Sequence, residues 1–219
     1  MWNWRGVEPY FQKLEGVNNV FSYPGMGDSG PIKIERSKSN WPIIDAWLRS
    51  ATMVGYDVNH GYNLADQEGV GFYQQTLDRG LRSSAAEAYL HPVKQRKNLN
   101  LYTNTLAKRL IFAGKKVVGV ELNRYGADFP VFCGKEVILS AGAIGSPHLL
   151  MLSGVGPEEN IREHGIQMKL NLPGVGQNLQ DHLQARPIYR CKSLTLNSQL
   201  RNPLKLIWHA INYAVTREG

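Results

Sequence analysis

The sequence predicts a mixed α/β fold of the α+β class, and three observations favour that class. Apolar residues recur at helical spacing over much of residues 1–97, between loops rich in glycine and proline. From about residue 98 to 182 the pattern changes to β-branched, apolar segments separated by turn residues. Helical spacing then returns in residues 183–219. The strand-rich block contains no alternating βαβ pattern, so the sequence does not predict a parallel sheet that is complete in itself.

Helices are predicted where apolar residues recur every three or four positions and where a capping residue, a proline or a glycine marks an end. Asn40 is the expected entrance of the second helix, and Ser84 with Glu87 is the expected capping box of the third. Pro92 and Gly165 are expected to end the third and the fourth. The predicted helices are residues 7–15, 41–54, 84–91, 157–164 and 203–215.

Strands are predicted where β-branched and aromatic residues cluster between turn residues. Gly114-Lys115 and Tyr125-Gly126 are expected to turn the chain between neighbouring strands. Long glycine-punctuated loops are expected over residues 21–31, 56–72 and 170–183. The predicted strand segments are "IKIE", "NLNLYT", "AKRLIFAGKKVVGVEL" and "FPVFCGKEVILSAG".

Length and composition fit a soluble globular protein. The chain has 219 residues, of which 42% are hydrophobic, and no apolar run approaches the length of a membrane-spanning helix. The first residues are polar and mixed, unlike a secretory signal. Cys133 and Cys191 make no metal-binding pattern with each other. Their separation suits one disulfide, but we expect free thiols of a cytoplasmic protein.

The net charge of +7 is unevenly distributed along the chain. Residues 1–90 carry 8 basic and 10 acidic side chains, whereas residues 91–219 carry 17 basic and 8 acidic ones. The lysines and arginines are scattered, and no run of them exceeds two. We therefore expect ordinary solvated charge and no nucleic-acid partner.

A small-residue segment, "KEVILSAGAIGSPHLLMLSGVG", connects a predicted strand to a predicted helix. Ser146 can cap this helix and Pro147 suits its first position, so the helix is expected to run from Pro147 to about Ser153 and to stop at Gly154. The first turn of a helix offers unpaired N–H groups to an anion, and glycines let a ligand approach the backbone. The spacing alone also fits a plain tight turn, because it is neither GxGxxG nor a phosphate-binding P-loop.

The longer string "GAIGSPHLLMLSGVGP", followed by "LPGVGQNLQDHL", resembles the second signature of the glucose-methanol-choline (GMC) flavoprotein oxidoreductases. "WRGVEPYFQKLEG" and "EGVGFYQQTLDRGLRSSAAEAYLHPVKQRKNLNLYT" are similar to earlier stretches of that family. The resemblance is collinear over residues 2 to about 190, and it is strongest to bacterial choline- and alcohol-dehydrogenase-like members.

This resemblance implies bound FAD and transfer of hydride from a small-molecule alcohol to the flavin, which yields an aldehyde or a ketone. It divides the chain into a substrate-domain piece (1–97), an FAD-domain piece (98–182) and the start of a second substrate-domain piece (183–219). The electron acceptor stays open. The expected location is cytoplasmic, with peripheral association of the parent enzyme with a membrane left open.

Several residues match positions that contact or approach the cofactor in the family. Two readings of Asp181 and His182 are open: a place near the flavin, or a carboxylate and an imidazole that fasten a loop by hydrogen bonds. The predicted cofactor-binding residues are Ala107, Ser140, Ala141, Gly142, Ser146, Asn178, Asp181 and His182. Trp41, Trp47, Tyr62, Phe72 and Tyr73 are interpreted as core residues, with a place in a substrate pocket as the alternative. No metal site is expected, because the six histidines show no metal-ligand spacing.

The sequence departs from the family pattern in two respects. No GxGxxG is expected near residue 1, and no βαβ unit is expected ahead of residue 98. No residue matches the family's catalytic histidine or the second histidine or asparagine that pairs with it, so no catalytic residue is assigned. We therefore expect an internal fragment that neither retains FAD nor oxidises alcohols by itself. The alternative functional reading is an inactive truncated or split-gene product, or one that acts only by complementing a partner chain.

Overall fold

The protein folds as helices and short sheets in two compact units. The computed structural model describes residues 2–17, 25–36, 38, 41–61, 63, 66–192 and 195–217. Unit 1 comprises Met1–Leu99 together with Ile188–Gly219, and unit 2 comprises Asn100–Pro187. The mixed helix and sheet content confirms the predicted fold class. The assignment of 98–182 to an FAD domain, and of the flanking pieces to a substrate domain, stays a prediction.

Unit 1 is built on a small sheet in which β1 (Glu15–Val17) pairs in parallel with β2 (Ile32–Arg36), and β2 pairs antiparallel with β3 (Gln74–Gln75). Among the residues that the structure describes in unit 1, the buried apolar ones are Val17 at the end of β1 and Val70 in the segment between α2 (Pro42–Met53) and β3. Its helices are α1 (Trp4–Leu14), α2 (Pro42–Met53), a short π-helix (Ala86–Leu90), α5 (Leu196–Leu200) and α6 (Pro203–Thr216). Its strands are β1 (Glu15–Val17), β2 (Ile32–Arg36), β3 (Gln74–Gln75), β4 (Leu77–Asp78) and β5 (Leu81–Arg82).

The turn between β4 and β5 connects the sheet of unit 1 to its C-terminal helix. The Glu35 carboxylate on β2 accepts hydrogen bonds from the backbone N–H groups of Arg79 at 2.5 Å and Gly80 at 3.3 Å. The carbonyl of Gly80 accepts in turn from the Tyr213 hydroxyl of α6 at 2.9 Å. Asn202 caps α6 by accepting from the N–H of Leu204 at 3.0 Å. The helix predicted after Pro203 is therefore confirmed, and side-chain contacts fix its position.

The expectation that no GxGxxG lies near the start of the chain is wrong. Residues 25–30, "GMGDSG", do fit GxGxxG, although the next element is the strand β2 rather than a helix. A Cβ at Gly27 would overlap the backbone of Gln12 and Glu15, and one at Gly30 would overlap the backbone of Glu15. Gly27 also accepts a hydrogen bond from the N–H of Val17 at 2.9 Å. These glycines therefore allow close packing of backbone on backbone, and the strand–glycine–helix context of a dinucleotide site is not present here.

Unit 2 contains an antiparallel meander in the order β6 (Thr105–Ala113), β7 (Lys116–Arg124) and β8 (Ala127–Phe132). Both predicted turns are confirmed. Gly114 has a φ of 61° in the first, and Tyr125 and Gly126 have φ values of 53° and 87° in the second. Two successive positive φ values are typical of a tight hairpin turn. The elements of unit 2 are β6 (Thr105–Ala113), β7 (Lys116–Arg124), β8 (Ala127–Phe132), α3 (Gly142–Leu152), β9 (Val155–Gly156), α4 (Glu158–Glu163) and β10 (Leu170–Asn171).

The core of unit 2 lies where α3 packs on β6 and where β9 pairs in parallel with β10. Its buried apolar residues come from four different elements, and Ile161 of α4 is the most completely enclosed, at 1% exposure. The predicted helix over 157–164 is confirmed as α4, with Gly165 in a left-handed conformation after it. The buried set is Leu110, Leu149, Val155 and Ile161.

Three local predictions were wrong. Residues 98–103 form no strand, and their side chains Leu99, Leu101 and Tyr102 are exposed. The segment 135–140 runs without sheet pairing, because no described strand lies beside it after the chain leaves β8 at Cys133-Gly134. The helix expected over 84–91 is a single π-helical turn. Ser84 does cap it, accepting from Glu87 N–H at 3.3 Å, but Pro92 prevents its continuation.

Three further expectations concern the cysteines, membrane-spanning helices and the start of α2. Cys133 and Cys191 are both free thiols, the first half-buried and the second exposed. Among the described helices, none combines the length and the apolar character that crossing a bilayer requires. Asn40, expected as the entrance of α2, lies outside the described residues, and Trp41 takes the N-cap position without a side-chain hydrogen bond.

Candidate functional site

The candidate site begins at the start of α3, in the small-residue turn of unit 2. The helix begins at Gly142 and not at Pro147 as predicted, so Pro147 lies inside its first two turns. The predicted cap is also used differently, because the Ser146 hydroxyl accepts a hydrogen bond from the N–H of Ala141 at 3.0 Å. Ser146 therefore closes the turn from within the helix. The turn thus brings Ala141, Gly142 and Ser146 together, as the sequence predicts.

The turn is open towards solvent. Ser140, Ala141 and Gly142 are exposed, and Gly142 has a φ of 83°. A Cβ built on Gly142 would meet no atom within 4 Å. The backbone N–H groups of the first helical turn have no partner within the helix. The molecule therefore presents unpaired donors and an open backbone surface at this point.

These features fit one wall of an FAD site. A helix start with free N–H groups favours a negatively charged or strongly polar group, and a glycine without neighbours lets a flat ligand approach the backbone. The segment that leads into the turn is apolar, because it contains the half-buried Val137 and Leu139 and the exposed Ile138. The turn supplies no charged side chain, so it fits a contacting wall and not a complete pyrophosphate site.

Ala107 lies on β6, the strand on which α3 packs. It is half-buried, and the pairing of β6 with β7 shifts register immediately after it, between Ala107 and Arg109. Bulges of this kind locally free backbone groups from the ladder and occur preferentially beside functional sites. Ala107 therefore lies on the strand against which α3 packs, and its contact with a cofactor stays a prediction.

The loop that carries Asn178 also reaches α3. A Cβ on Gly176 would lie 3.4 Å from the end of Met151 and 3.9 Å from Pro147, so the loop passes over this face of the helix. Asn178 follows with a left-handed φ of 57° and accepts from the Gln180 side chain at 3.0 Å. Asparagine tolerates this conformation better than most residues do. The turn and this loop therefore lie on neighbouring parts of one helix.

The side chains of Asp181 and His182 do not bond to each other. The Asp181 carboxylate accepts from the backbone N–H of His182 at 2.8 Å, and the imidazole has no hydrogen-bond partner among the described residues. Both residues are exposed. The carboxylate therefore holds the loop by a hydrogen bond, as the second reading expects, whereas the imidazole takes no part in it. A role near the flavin stays a prediction for both.

The aromatic residues singled out from the sequence do not form a core. Trp47 and Tyr73 are 60% and 73% exposed, Trp41 and Phe72 are half-buried, and Tyr62 lies outside the described residues. Trp41 instead packs its ring against His209, with ring centroids 5.9 Å apart.

A cavity of about 1000 Å³ lies in unit 1, where α1 faces the loop 57–68. Trp4 and Phe11 contribute stacked rings with centroids 5.9 Å apart. The lining residues that the structure describes include no lysine or arginine. Such a cavity has an electrostatic preference for a cationic guest with an apolar body. Its carboxylate residues are Glu8, Glu15, Asp57, Asp66 and Glu68.

The charged groups with perturbed titration lie on the meander, not at the small-residue turn. Hydrogen bonds from Lys108 and then from Asn123 lower the pKa of the Asp128 carboxyl. A hydrogen bond to Glu121 raises the pKa of Arg109. Within the described part of the chain, no cluster of three or more His, Cys, Asp or Glu side chains is arranged to hold a metal ion. These pairs therefore stabilise strand pairing and give no indication of an acid or base for catalysis.

Comparison with known proteins agrees with the fold and the turn. The family model of the GMC oxidoreductases matches residues 1–184, which include the small-residue turn at the start of α3. The chain therefore belongs to the GMC oxidoreductase family. FAD is the cofactor of this family.

The chain is similar to curated choline dehydrogenases over nearly all of its length. It is 41% identical over 207 residues to the mitochondrial choline dehydrogenase of Homo sapiens. The alignment covers 94% of this chain and 34% of that protein. It is 37% identical over 219 residues to the oxygen-dependent choline dehydrogenase of Staphylococcus xylosus. The alignment covers 100% of this chain and 39% of that protein. The chain thus spans little more than a third of the length of these relatives.

Solved structures show the same fold. An FAD-dependent oxidoreductase from Chaetomium thermophilum superposes with a TM-score of 0.82 at 26% identity, over 99% of this chain and 40% of that one. A formate oxidase superposes with a TM-score of 0.80 at 25% identity, over 100% of this chain and 39% of that one. The partial GMC fold expected from the sequence is therefore confirmed.

Proposed function

We propose that this chain serves in an FAD-dependent oxidoreductase that acts on the CH–OH group of a choline-like primary alcohol. The observation that carries the proposal is the identity of 37 to 41% with choline dehydrogenases over nearly the whole chain. When bound, FAD would accept the two electrons and the hydrogen removed from the alcohol carbon, while a base would take the hydroxyl proton, so that an aldehyde forms.

The residues of unit 2 have a binding role in this proposal. The exposed backbone of Ser140, Ala141 and Gly142 would lie against the cofactor, with the first-turn N–H groups of α3 as donors. Ser146 would hold the shape of the turn through its bond to Ala141 N–H. Ala107 and the loop at Asn178 would border the same region. No described residue is assigned as the base.

The acidic and aromatic lining of the cavity in unit 1 favours a cationic substrate over a neutral one. Its five carboxylate residues and two stacked aromatic rings attract a quaternary ammonium group through charge and cation–π interactions. Neutralising two of the carboxylates, Glu8→Gln with Glu68→Gln, should raise the KM for choline about tenfold. The KM for its uncharged isostere 3,3-dimethylbutan-1-ol should change little.

The test is anaerobic reduction of the flavin by choline and by the isostere, followed at the visible flavin absorbance of the holoprotein. The matched control is Asp45→Asn, an exposed carboxylate on α2 outside the cavity. Reduction by neither alcohol would overturn the proposed function. Equal KM changes for both alcohols in the double variant would overturn the role of the cavity but leave the oxidoreductase function standing.

The expectation that the 219 residues alone neither retain FAD nor oxidise alcohols stays a prediction. The described residues contain no strand–GxGxxG–helix unit, and such a unit holds a dinucleotide by charge-assisted hydrogen bonds worth roughly 1.5–3 kcal/mol each. Without three of them, affinity should fall by about three to six powers of ten. A stoichiometric flavin spectrum after removal of excess FAD would contradict this expectation.

A further inference from the structure

The side chain of Asn59 closes one wall of the cavity in unit 1 with three hydrogen bonds. Its Nδ2 donates to the backbone carbonyls of Asp66 and Glu68, both at 3.0 Å. Its Oδ1 accepts from the backbone N–H of Gly61 at 2.8 Å. The side chain therefore uses its donors and its acceptor at once, and it gathers backbone groups from up to nine positions further along the chain.

Backbone contacts hold the same segment at its ends. The N–H of Asn59 donates to the carbonyl of Val70 at 2.8 Å, and the N–H of Val70 donates to the carbonyl of Asp57 at 2.9 Å. Val58 and Val70 thereby form a parallel bridge, and Val70 is buried. The described residues of this segment form no helix or strand, so its shape depends on these bonds and on those of the Asn59 side chain.

The segment from 57 to 70 carries most of the acidic lining of the cavity. Three of the five carboxylate residues belong to it. The Asp66 carboxylate also accepts from the N–H of Glu68 at 3.1 Å, which fixes these two neighbours relative to each other. Asn59 is uncharged, lines the cavity as well, and holds the backbone of both. The three carboxylate residues are Asp57, Asp66 and Glu68.

The closed shape of the segment works against the charges that it holds. Asp57, Asp66 and Glu68 are exposed and carry the same charge, and like charges favour a more open segment. The hydrogen bonds of Asn59 oppose this opening. Because the attraction of a cation to a carboxylate falls with distance, an opened segment would attract a cationic guest less. The contact of an apolar guest with the rings on α1 would change little.

We propose that Asn59 is a positioning residue for the cationic group of the substrate. It does not pair with that charge itself, but it holds the carboxylates of Asp66 and Glu68 where the charge binds. Asn59 thereby contributes to the preference of the cavity for a cationic alcohol over a neutral one. The inference rests on the cationic substrate of the proposed function, and it names a residue that determines the selectivity.

The experiment is calorimetric titration of the 219-residue chain with choline and with its uncharged isostere 3,3-dimethylbutan-1-ol, without FAD. Asn59→Asp keeps the shape of the side chain and an acceptor for Gly61, but it loses the donors to Asp66 and Glu68. Its added negative charge would by itself favour a cation. We nevertheless expect the Kd for choline to rise about fivefold, a coupling that is ordinary within one hydrogen-bonded network, and the Kd for the isostere to stay unchanged.

The matched control is Asn202→Asp in the same unit. Asn202 accepts from the N–H groups of Leu204 at 3.0 Å and Lys205 at 3.4 Å, and a carboxylate can accept both bonds. Asn202 also lies outside the described lining of the cavity. This variant therefore adds the same charge to unit 1 without losing a donor, and the Kd for choline should stay that of the wild type.

Two further measurements separate positioning from general damage. In the background Asp66→Asn with Glu68→Gln, adding Asn59→Asp should not weaken choline binding further, because the charges that Asn59 positions are gone. In the wild type, saturating choline should slow hydrogen exchange at the Gly61 amide, whose acceptor is Asn59, and not at the Leu204 amide in the cap of α6. The second measurement needs no variant to fold.

The proposal is overturned by a Kd for choline in Asn59→Asp that equals or falls below that of the wild type. It is overturned equally by the same loss of affinity for both alcohols, or by unchanged exchange at Gly61. Absence of choline binding by the wild-type chain overturns it together with the role of the cavity. The proposed oxidoreductase function is tested separately by flavin reduction, so the two can fail independently.

Discussion

The backbone N–H of Leu110 donates a hydrogen bond to the hydroxyl of Ser153 at 2.8 Å, across 43 positions of sequence. Both residues are buried. The same hydroxyl donates to the carbonyl of Leu149 at 2.6 Å, so it joins the end of α3 to the middle of β6. This connection fixes the helix whose other end forms the small-residue turn.

Replacing Ser153 with alanine should destabilise unit 2 by about 1–3 kcal/mol, because the N–H of Leu110 would stay buried without an acceptor. The measurement is thermal unfolding together with hydrogen exchange at the Leu110 amide, which should accelerate. Ser50→Ala is the matched control, since that exposed serine bonds only to its own helix at Ala46. An unchanged exchange rate in Ser153→Ala would show that water replaces the hydroxyl.

The meander should contain a pH-dependent contribution to stability at Asp128. Hydrogen bonds from Lys108 and Asn123 lower the pKa of this carboxyl, so its contribution is complete above the unfolded pKa of about 3.9. It is lost as the pH falls through the lower, folded pKa. The difference in unfolding free energy between wild type and Asp128→Asn should therefore be constant from about pH 7 to 5. It should disappear as the pH falls below about 4. A difference that persists at the most acidic pH would argue against this pair.

The GxGxxG spacing at residues 25–30 should prove structural. Gly27→Ala places a Cβ into the backbone of Gln12 and Glu15, and overpacking of this kind costs about 1–3 kcal/mol or more. Gly134→Ala is the control, because a Cβ there meets nothing within 4 Å. We expect a lower melting temperature for Gly27→Ala only. Loss of FAD from the holoprotein without a change in melting temperature would instead indicate a cofactor role for this loop.

The sequence predicts those parts of the fold that short-range chemistry determines. The two hairpin turns follow from residues that accept positive φ, and α4 and α6 follow from their prolines, caps and spacing. The segment 135–140 could not be predicted in the same way, because a strand forms only beside a pairing strand, and its apolar pattern carries no information on that neighbour.

The candidate site shows the same limit. The sequence identifies the small-residue turn, but the helix begins five residues earlier than predicted because the Ser146 hydroxyl bonds to Ala141. Whether the His182 imidazole helps to fasten its loop depends on side-chain rotation, which sequence proximity does not determine. The acidic cavity of unit 1 was missed, since its carboxylates come from segments about 50 residues apart. The only sequence signal for it is the excess of acidic over basic side chains in residues 1–90.

At Gly142, the effect of backbone strain on stability can be separated by experiment from an effect on cofactor binding. Its φ of 83° disfavours any residue with a Cβ, and a β-branched side chain would also occupy the open surface of the turn. Gly142→Val should therefore lower both the melting temperature and the FAD content of the holoprotein. The strain alone should cost about 1–2 kcal/mol.

Gly114→Val provides the matched comparison. Gly114 has a φ of 61° at a hairpin turn, and a Cβ there also meets nothing within 4 Å. The two variants therefore introduce similar strain, but only one of them adds a side chain to the surface proposed to face the flavin. We expect similar losses of melting temperature in both and a loss of FAD, read from the ratio of flavin to protein absorbance, in Gly142→Val alone. Equal flavin content in the two variants would mean that Gly142 is a turn residue without contact to the cofactor.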